Sequence, residues 1–135
     1  VSRKDTYKVW QERTDLESDL KQELAAMSDD KEIEDAFYGP LSFGTAGMRG
    51  LMGPGINRMN VYTVRQATEG LATLMDSLGD DIKKRGVAIG YDSRHNSRKF
   101  AHDAARVLGA HGMIIYAQRL NCHLQFVTWG LMRES

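Results

Sequence analysis

Apolar residues recur through the first stretch of the chain as Val9, Leu16, Leu20, Leu24 and Met27, three or four apart after Val9, and so share one helical face. This spacing predicts one amphipathic helix over residues 5–27. Ser28, Asp29 and Asp30 interrupt it. Glu32 stands three residues after Asp29, a capping-box spacing that predicts a short second helix over 31–37, ended by Gly39 and Pro40. Residues 41–60 read LSFGTAGMRGLMGPGINRMN, and glycines at 44, 47, 50, 53 and 55 predict a long loop. Asn60 then caps a helix in which Val64, Ala67, Leu71, Leu74 and Leu78 share a face, closing near Gly79. VAIGY at 87–91 reads as a buried strand, 92–97 as a polar turn, and Ser97 as the cap of a helix through 98–108 with Phe100, Ala104, Val107 and Leu108 inward. Gly109 stops that helix and a strand over 113–116 follows, which completes a βαβ unit.

Composition narrows the class without naming a function. With 135 residues, 41% hydrophobic and 27% charged, the chain fits a globular α/β domain with one core. No apolar run reaches the length of a membrane span, and the charged start has no apolar signal stretch, so no membrane partner is expected. The start at Val1 rather than a methionine fits a trimmed chain. The single cysteine, Cys122, excludes an internal disulfide and a cysteine metal cluster, and fits reducing, cytoplasmic surroundings.

Charge is balanced overall but not along the chain. Residues 1–35 carry 6 Lys/Arg against 11 Asp/Glu, a net of −5, and the remainder carries +5. In that basic part Lys83, Lys84 and Arg85 form the only triplet, and no stacking aromatics are interleaved with it, so nucleic acid is not the expected partner. Arginines spaced singly beside glycines suit a small anion.

Two segments could hold such an anion. GTAGMRG at 44–50 combines three glycines, whose backbone N–H groups are free to converge, with the Thr45 hydroxyl and the Arg49 guanidinium. It matches neither the dinucleotide fingerprint nor a Walker loop, and a structural glycine turn fits it equally well. The second segment, 90–97, follows the carboxyl end of a strand, where open α/β sheets place ligands. Asp92 could orient Arg94, with Ser97 and the helix N-terminus as further donors; a turn held by Asp92 and Ser97 as caps is the plainer alternative. Asp92, Ser93 and His95 are too close in sequence to form a catalytic triad. His102, His111 and His123 lack metal-ligand spacing, Trp10 and Trp129 are expected to pack, and Cys122 is expected to be an unreactive thiol.

In order, FGTAGMRG, GINRMNVYTVRQATEGLA and VAIGYDSRHNSRKFA resemble the first domain of the phosphoglucomutase and phosphomannomutase family of α-D-phosphohexomutases, and most closely its phosphoglucomutase/phosphopentomutase-like branch. The resemblance runs from about residue 5 to 116. It implies a partial three-layer α/β/α domain with a mainly parallel sheet: an N-terminal helical segment at 1–40, an incomplete first domain at 41–116 and a divergent tail at 117–135. It further implies a four-domain parent enzyme that moves a phosphoryl group between the 1- and 6-positions of a hexose phosphate, through a phosphoserine and a hexose 1,6-bisphosphate. Mg²⁺ would be held by an aspartate loop of the second domain, with no metal bound by this chain alone. The resemblance assigns Arg49 to the active site. Gly44, Thr45, Ala46, Gly47 and Arg49, with Asp92, Arg94, Asn96 and Ser97, become the expected phosphate-binding set, and the remaining domains the expected protein partners.

Two departures qualify this expectation. The family's Thr-Ala-Ser-His-Asn-Pro loop does not occur in the sequence, so no residue is assigned as the phosphoserine and the isolated chain is expected to be inactive. After Tyr116 the chain reads AQRLNCHLQFVTWGLMRES, without the prolines of the family pattern, as truncation, a shifted reading frame or divergence would each produce. A phosphopentomutase fragment and a non-catalytic sugar-phosphate-binding or partner-binding remnant are the alternative functions.

Overall fold

Ser2 opens the first helix, α1 (Arg3–Glu12): its hydroxyl accepts from the Lys4 amide while Asp5 accepts from the Ser2 amide, a reciprocal capping box. The computed structural model describes residues 2–45 and 47–119, so expectations for Ala46, Cys122, His123, Trp129 and the tail beyond Arg119 lie outside the described residues. The chain divides into two compact units, 1–63 and 64–135.

In the first unit the continuous helix expected over 5–27 is two helices. α1 ends at Glu12, and α2 (Ser18–Ala26) starts after a five-residue break. The seven-residue step from Val9 to Leu16 is two helical turns and gives no local sign of the break, which brings Leu16 into the core while Val9 is left 56% exposed. Trp10 is the buried residue of α1, at 6% exposure, as expected of a packing tryptophan. The Tyr62 hydroxyl closes the break, accepting from the Glu17 amide at 2.9 Å and donating to the Asp15 carbonyl at 3.2 Å. Trp10 meets Phe37 and Tyr62 edge-to-face at 5.7 and 5.8 Å, and Leu16, Leu24 and Ala36 complete this core. The predicted short helix is α3 (Asp30–Ala36), with Asp29 accepting from the Lys31 amide.

The glycine-rich stretch carries more order than a loop. β1 (Phe43–Gly44) and β2 (Gly47–Met48) pair antiparallel, Phe43 opposite Met48 and Gly44 opposite Gly47. Further on, the chain folds back over the end of α3. The Asn57 amide and side chain donate to the carbonyls of Ala36 and Asp35, both at 2.9 Å, and Arg58 meets the Asp35 carboxylate at 2.7 Å. Gly55 makes that approach possible: its φ is +128°, and a Cβ there would stand 2.4 Å from the Ala36 carbonyl oxygen.

Asn60 caps α4 (Val61–Ser77) as expected, its Oδ1 accepting from the Tyr62 and Thr63 amides, both at 3.0 Å. The inward face of α4 is the predicted one only in part. Val64 is buried and Leu71 packs on the second unit's core, but Ala72 and Met75 are buried there too, whereas Leu74 and Leu78 are 57% and 53% exposed. Thr68 also lies on the buried stripe because its hydroxyl donates to the Val64 carbonyl at 2.7 Å, so the helix itself satisfies a polar residue that a hydrophobicity pattern passes over.

The second unit adds a helix that the sequence reading left out, α5 (Asp80–Arg85), with acidic residues in its first turn and basic residues in its last, matched to the helix dipole. β3 (Val87–Tyr91) is the predicted strand. The predicted helix is α6 (Ser97–Ala110), three residues longer than expected and ended through a left-handed Gly112. Ser97 is its first helical residue rather than its cap; Asn96 holds the cap position without a side-chain bond. The last strand, β4 (Ile115–Arg119), lies later than the predicted 113–116. Met113 is buried before the strand begins, and backbone pairing with β3 carries the strand on through polar Gln118 and Arg119. β3 and β4 are parallel, Val87 opposite Ile115 through Tyr91 opposite Arg119, which confirms the βαβ unit. Ile89, Ala104, Leu108 and Met113 join Ala72 and Met75 in its core. The fold is α/β, with helices around small sheets.

Candidate phosphate-binding site

The first candidate segment is the β1–β2 hairpin of the first unit. Gly47 turns the chain with φ of +102°, and nothing lies within 4 Å of where its Cβ would be, so backbone conformation rather than crowding calls for glycine. Gly44, Thr45 and Arg49 are exposed, and Ala46 lies outside the described residues. Arg49 makes no hydrogen bond or ion pair with any described residue. A short hairpin ending in an uncommitted guanidinium can take two anion oxygens in parallel without first breaking an internal pair.

What fixes this segment's exit is a network that sequence reasoning credited only as a helix cap. Asn60 is buried, and its side-chain amide donates to the Gly53 and Gly55 carbonyls at 2.9 and 3.0 Å while its oxygen caps α4. The Thr63 hydroxyl accepts from the Asn60 amide at 3.0 Å and lies 2.8 Å from the Arg58 carbonyl, to which it donates. The Asn60-to-Thr63 spacing, a reciprocal cap, was the available signal.

The second candidate segment is the 92–97 turn of the second unit. The Asp92 carboxylate accepts from the Arg94 amide at 3.0 Å and from Arg94 Nε at 2.6 Å, and the Asp92 amide donates to Ser97 Oγ at 3.2 Å. The Arg94 amide foremost, with Ser97 and the Arg94 guanidinium, holds the Asp92 carboxyl below the usual carboxylate range. Arg94 is thus oriented through Nε, and its two terminal nitrogens make no hydrogen bond among the described residues. Asn96 takes a left-handed conformation, φ 66°, its carbonyl accepting from the Phe100 amide at 2.9 Å. The helix behind the turn is anchored by a pair absent from the sequence reading: Asp103, buried on α6, accepts from Arg65 at 2.7 Å.

Gly44, Thr45, Gly47 and Arg49 therefore belong to the first unit, and Asp92, Arg94, Asn96 and Ser97 to the second. None of them lines the cleft of about 240 Å³ in the first unit, which is bordered by Glu23, Glu32, Met27, Met52 and Arg58. With two carboxylates at its rim and Arg58 already bound to Asp35, that cleft is a poor phosphate site. Among the described residues no group of three or more His, Cys, Asp or Glu side chains gathers to hold a metal ion, and no helix is long and apolar enough to cross a membrane.

The family model for phosphoglucomutase/phosphomannomutase, alpha/beta/alpha domain I, matches residues 40–127. A phosphopentomutase of Pongo abelii is 33% identical over 111 residues, covering 78% of this chain and 18% of that protein. A phosphopentomutase of Mus musculus is 36% identical over 107 residues, covering 75% and 17%. A phosphoglucomutase of Staphylococcus aureus (strain MRSA252) is 38% identical over 87 residues, covering 64% and 15%. The chain thus spans less than a fifth of the length of these relatives, and no solved structure matches it significantly. The chain belongs to the phosphoglucomutase/phosphomannomutase family, through its alpha/beta/alpha domain I.

Proposed function

We propose that this chain supplies part of the phosphate-binding wall of a phosphohexomutase, an isomerase that moves a phosphoryl group between the 1- and 6-positions of a hexose phosphate. The observation that carries the reading is Arg49, exposed and unpaired among the described residues two positions after the left-handed Gly47. In this reading Gly44, Thr45 and Gly47 frame the anion beside it. Within the second unit, Arg94, aimed by Asp92, and the 96–97 end of α6 offer anion donors of their own. A guanidinium in such a place stabilises charge on a transferring phosphoryl group.

The rest of the parent's architecture follows from the same reading: a three-layer α/β/α first domain beginning near residue 41, behind the 1–40 helical segment and followed by a divergent tail from 117, docked on further domains in the cytoplasm. The described residues do not fit a Mg²⁺ site, so no step by this chain is routed through the ion. With no serine loop in its sequence, the isolated chain should interconvert glucose 1- and 6-phosphate only at the background rate. A phosphopentomutase is the second reading, favoured by the phosphopentomutase relatives, whose alignments cover 75–78% of the chain.

Calorimetric titration of the chain with glucose 1-phosphate tests the proposal. Removing a charge-assisted bond worth about 1.5–3 kcal/mol should weaken binding about tenfold to a hundredfold in Arg49→Ala. Arg85→Ala, which removes an exposed charge elsewhere, should leave binding near the wild-type value. Equal weakening by both variants, or none by the first, would defeat the assignment.

A further inference from the structure

Glu69 and Asp76 stand two turns apart on α4, and His111, the residue that ends α6, lies between them. Its Nε2 is 2.7 Å from Glu69 Oε1 and its Nδ1 is 2.6 Å from Asp76 Oδ2. An ionised carboxylate only accepts, and a neutral imidazole has a single N–H, so a neutral ring would set its lone pair against one of the two carboxylates. The imidazolium has a donor for each. Because the carboxylates approach opposite ring nitrogens, the three groups cannot converge on one metal ion.

We propose that Glu69, His111 and Asp76 form a proton-operated latch that fastens the turn between α6 and β4 to α4, closed while the ring carries two protons and released when it loses one. Among the described residues the charged groups around the ring are Glu69 and Asp76 of α4, then Lys83 of α5, which binds the other Asp76 oxygen at 2.8 Å, and Asp80 beside Lys83. Lys83 foremost, together with the ring, keeps the Asp76 carboxyl below its usual range and so ionised and ready to accept. The His111 side chain is 22% exposed, enough to exchange its proton with water without unfolding. The bond to Asp76, then that to Glu69, holds the imidazolium above its ordinary value of 6.5. With the folded value raised, the latch contributes fully below the ordinary value and is lost as pH rises through the raised one. The sequence holds no signal for this cluster beyond the seven-residue step from Glu69 to Asp76, because His111 reaches them only through the fold.

The turn that would be released carries its own reporters, since the Gly112 amide donates to the Gly109 carbonyl at 2.9 Å and the Met113 amide to the Leu108 carbonyl at 3.2 Å. The test is a pH titration of the full chain followed by NMR of the histidine rings, with His111 assigned by the signal lost in His111→Asn. The wild-type ring should titrate above 6.5, Glu69→Gln and Asp76→Asn should each lower its midpoint, and opening of the 112–113 amides, corrected for intrinsic exchange, should increase across that midpoint. A wild-type ring that titrates at or below 6.5, or amide opening indifferent to pH across the midpoint, would overturn the latch. The wild-type titration decides the matter even where a variant fails to fold.

Discussion

Replacing Asn60 by alanine removes four hydrogen bonds from one buried side chain, and the structure divides their cost into two parts. The cap bonds to the Tyr62 and Thr63 amides are worth about 1 kcal/mol together. The larger part comes from the Gly53 carbonyl, in a buried residue, which loses its donor at 2.9 Å and as an unsatisfied group costs about 1–3 kcal/mol; the Gly55 carbonyl loses a bond at 3.0 Å worth about 1 kcal/mol but keeps the Arg58 amide at 3.3 Å. N60A should therefore lose roughly 3–5 kcal/mol, a large fraction of the 5–15 kcal/mol typical of a domain, and its melting temperature should fall by about 10 °C or more. Urea unfolding followed by far-ultraviolet circular dichroism measures the loss. N60D separates the two parts, because a carboxylate retains the cap and suits a helix N-terminus but offers no donor to the glycine carbonyls. N60D should fall well below wild type as well. If N60A loses only about 1 kcal/mol and N60D matches wild type, Asn60 is merely a cap and the network that fixes the 53–60 segment is refuted.

Two glycines should respond with opposite sign. Gly55→Ala puts a Cβ 2.4 Å from a backbone oxygen at φ +128° and should cost about 3 kcal/mol or more, whereas Gly70→Ala, in α4 with open space at its Cβ, should stabilise by up to about 1 kcal/mol, both read from denaturant midpoints. Acid should loosen the 92–97 turn. Because the folded Asp92 value lies below the ordinary 3.8, the turn's contribution is present above 3.8 and is lost as pH falls through the lowered value, visible as a cooperative shift of the Arg94 amide; an Arg94 amide insensitive to acid would contradict the arrangement.

The elements that sequence alone revealed are those whose side chains state their own geometry. Asn60 and Asp29 name helix starts, VAIGY names a strand, though of its residues only Ile89 is buried, and the strand-helix-strand order predicts a parallel pair. The failures share one cause. Leu74 and Leu78 are exposed while Thr68 is buried, since the inward face of α4 is selected by what packs on it, not by which residues are most apolar. The break between α1 and α2 is closed by Tyr62, 45 residues after Glu17, a partner no local pattern contains. For the candidate site, the sequence identified Arg49 and the Asp92-to-Arg94 pair as residues, but the uncommitted state of Arg49 and the support of α6 by Arg65 and Asp103 depend on long-range contacts.

The central proposal is that the 44–49 hairpin binds a phosphate group through Arg49. Titrating the ¹⁵N-labelled chain with glucose 1-phosphate and following every amide tests it most directly. The account predicts shifts at 47–50 that saturate with the sugar phosphate and vanish in Arg49→Ala. Shifts confined to the basic triplet at 83–85 or to the Glu23 and Glu32 cleft, or shifts at 47–50 that persist in Arg49→Ala, would contradict it.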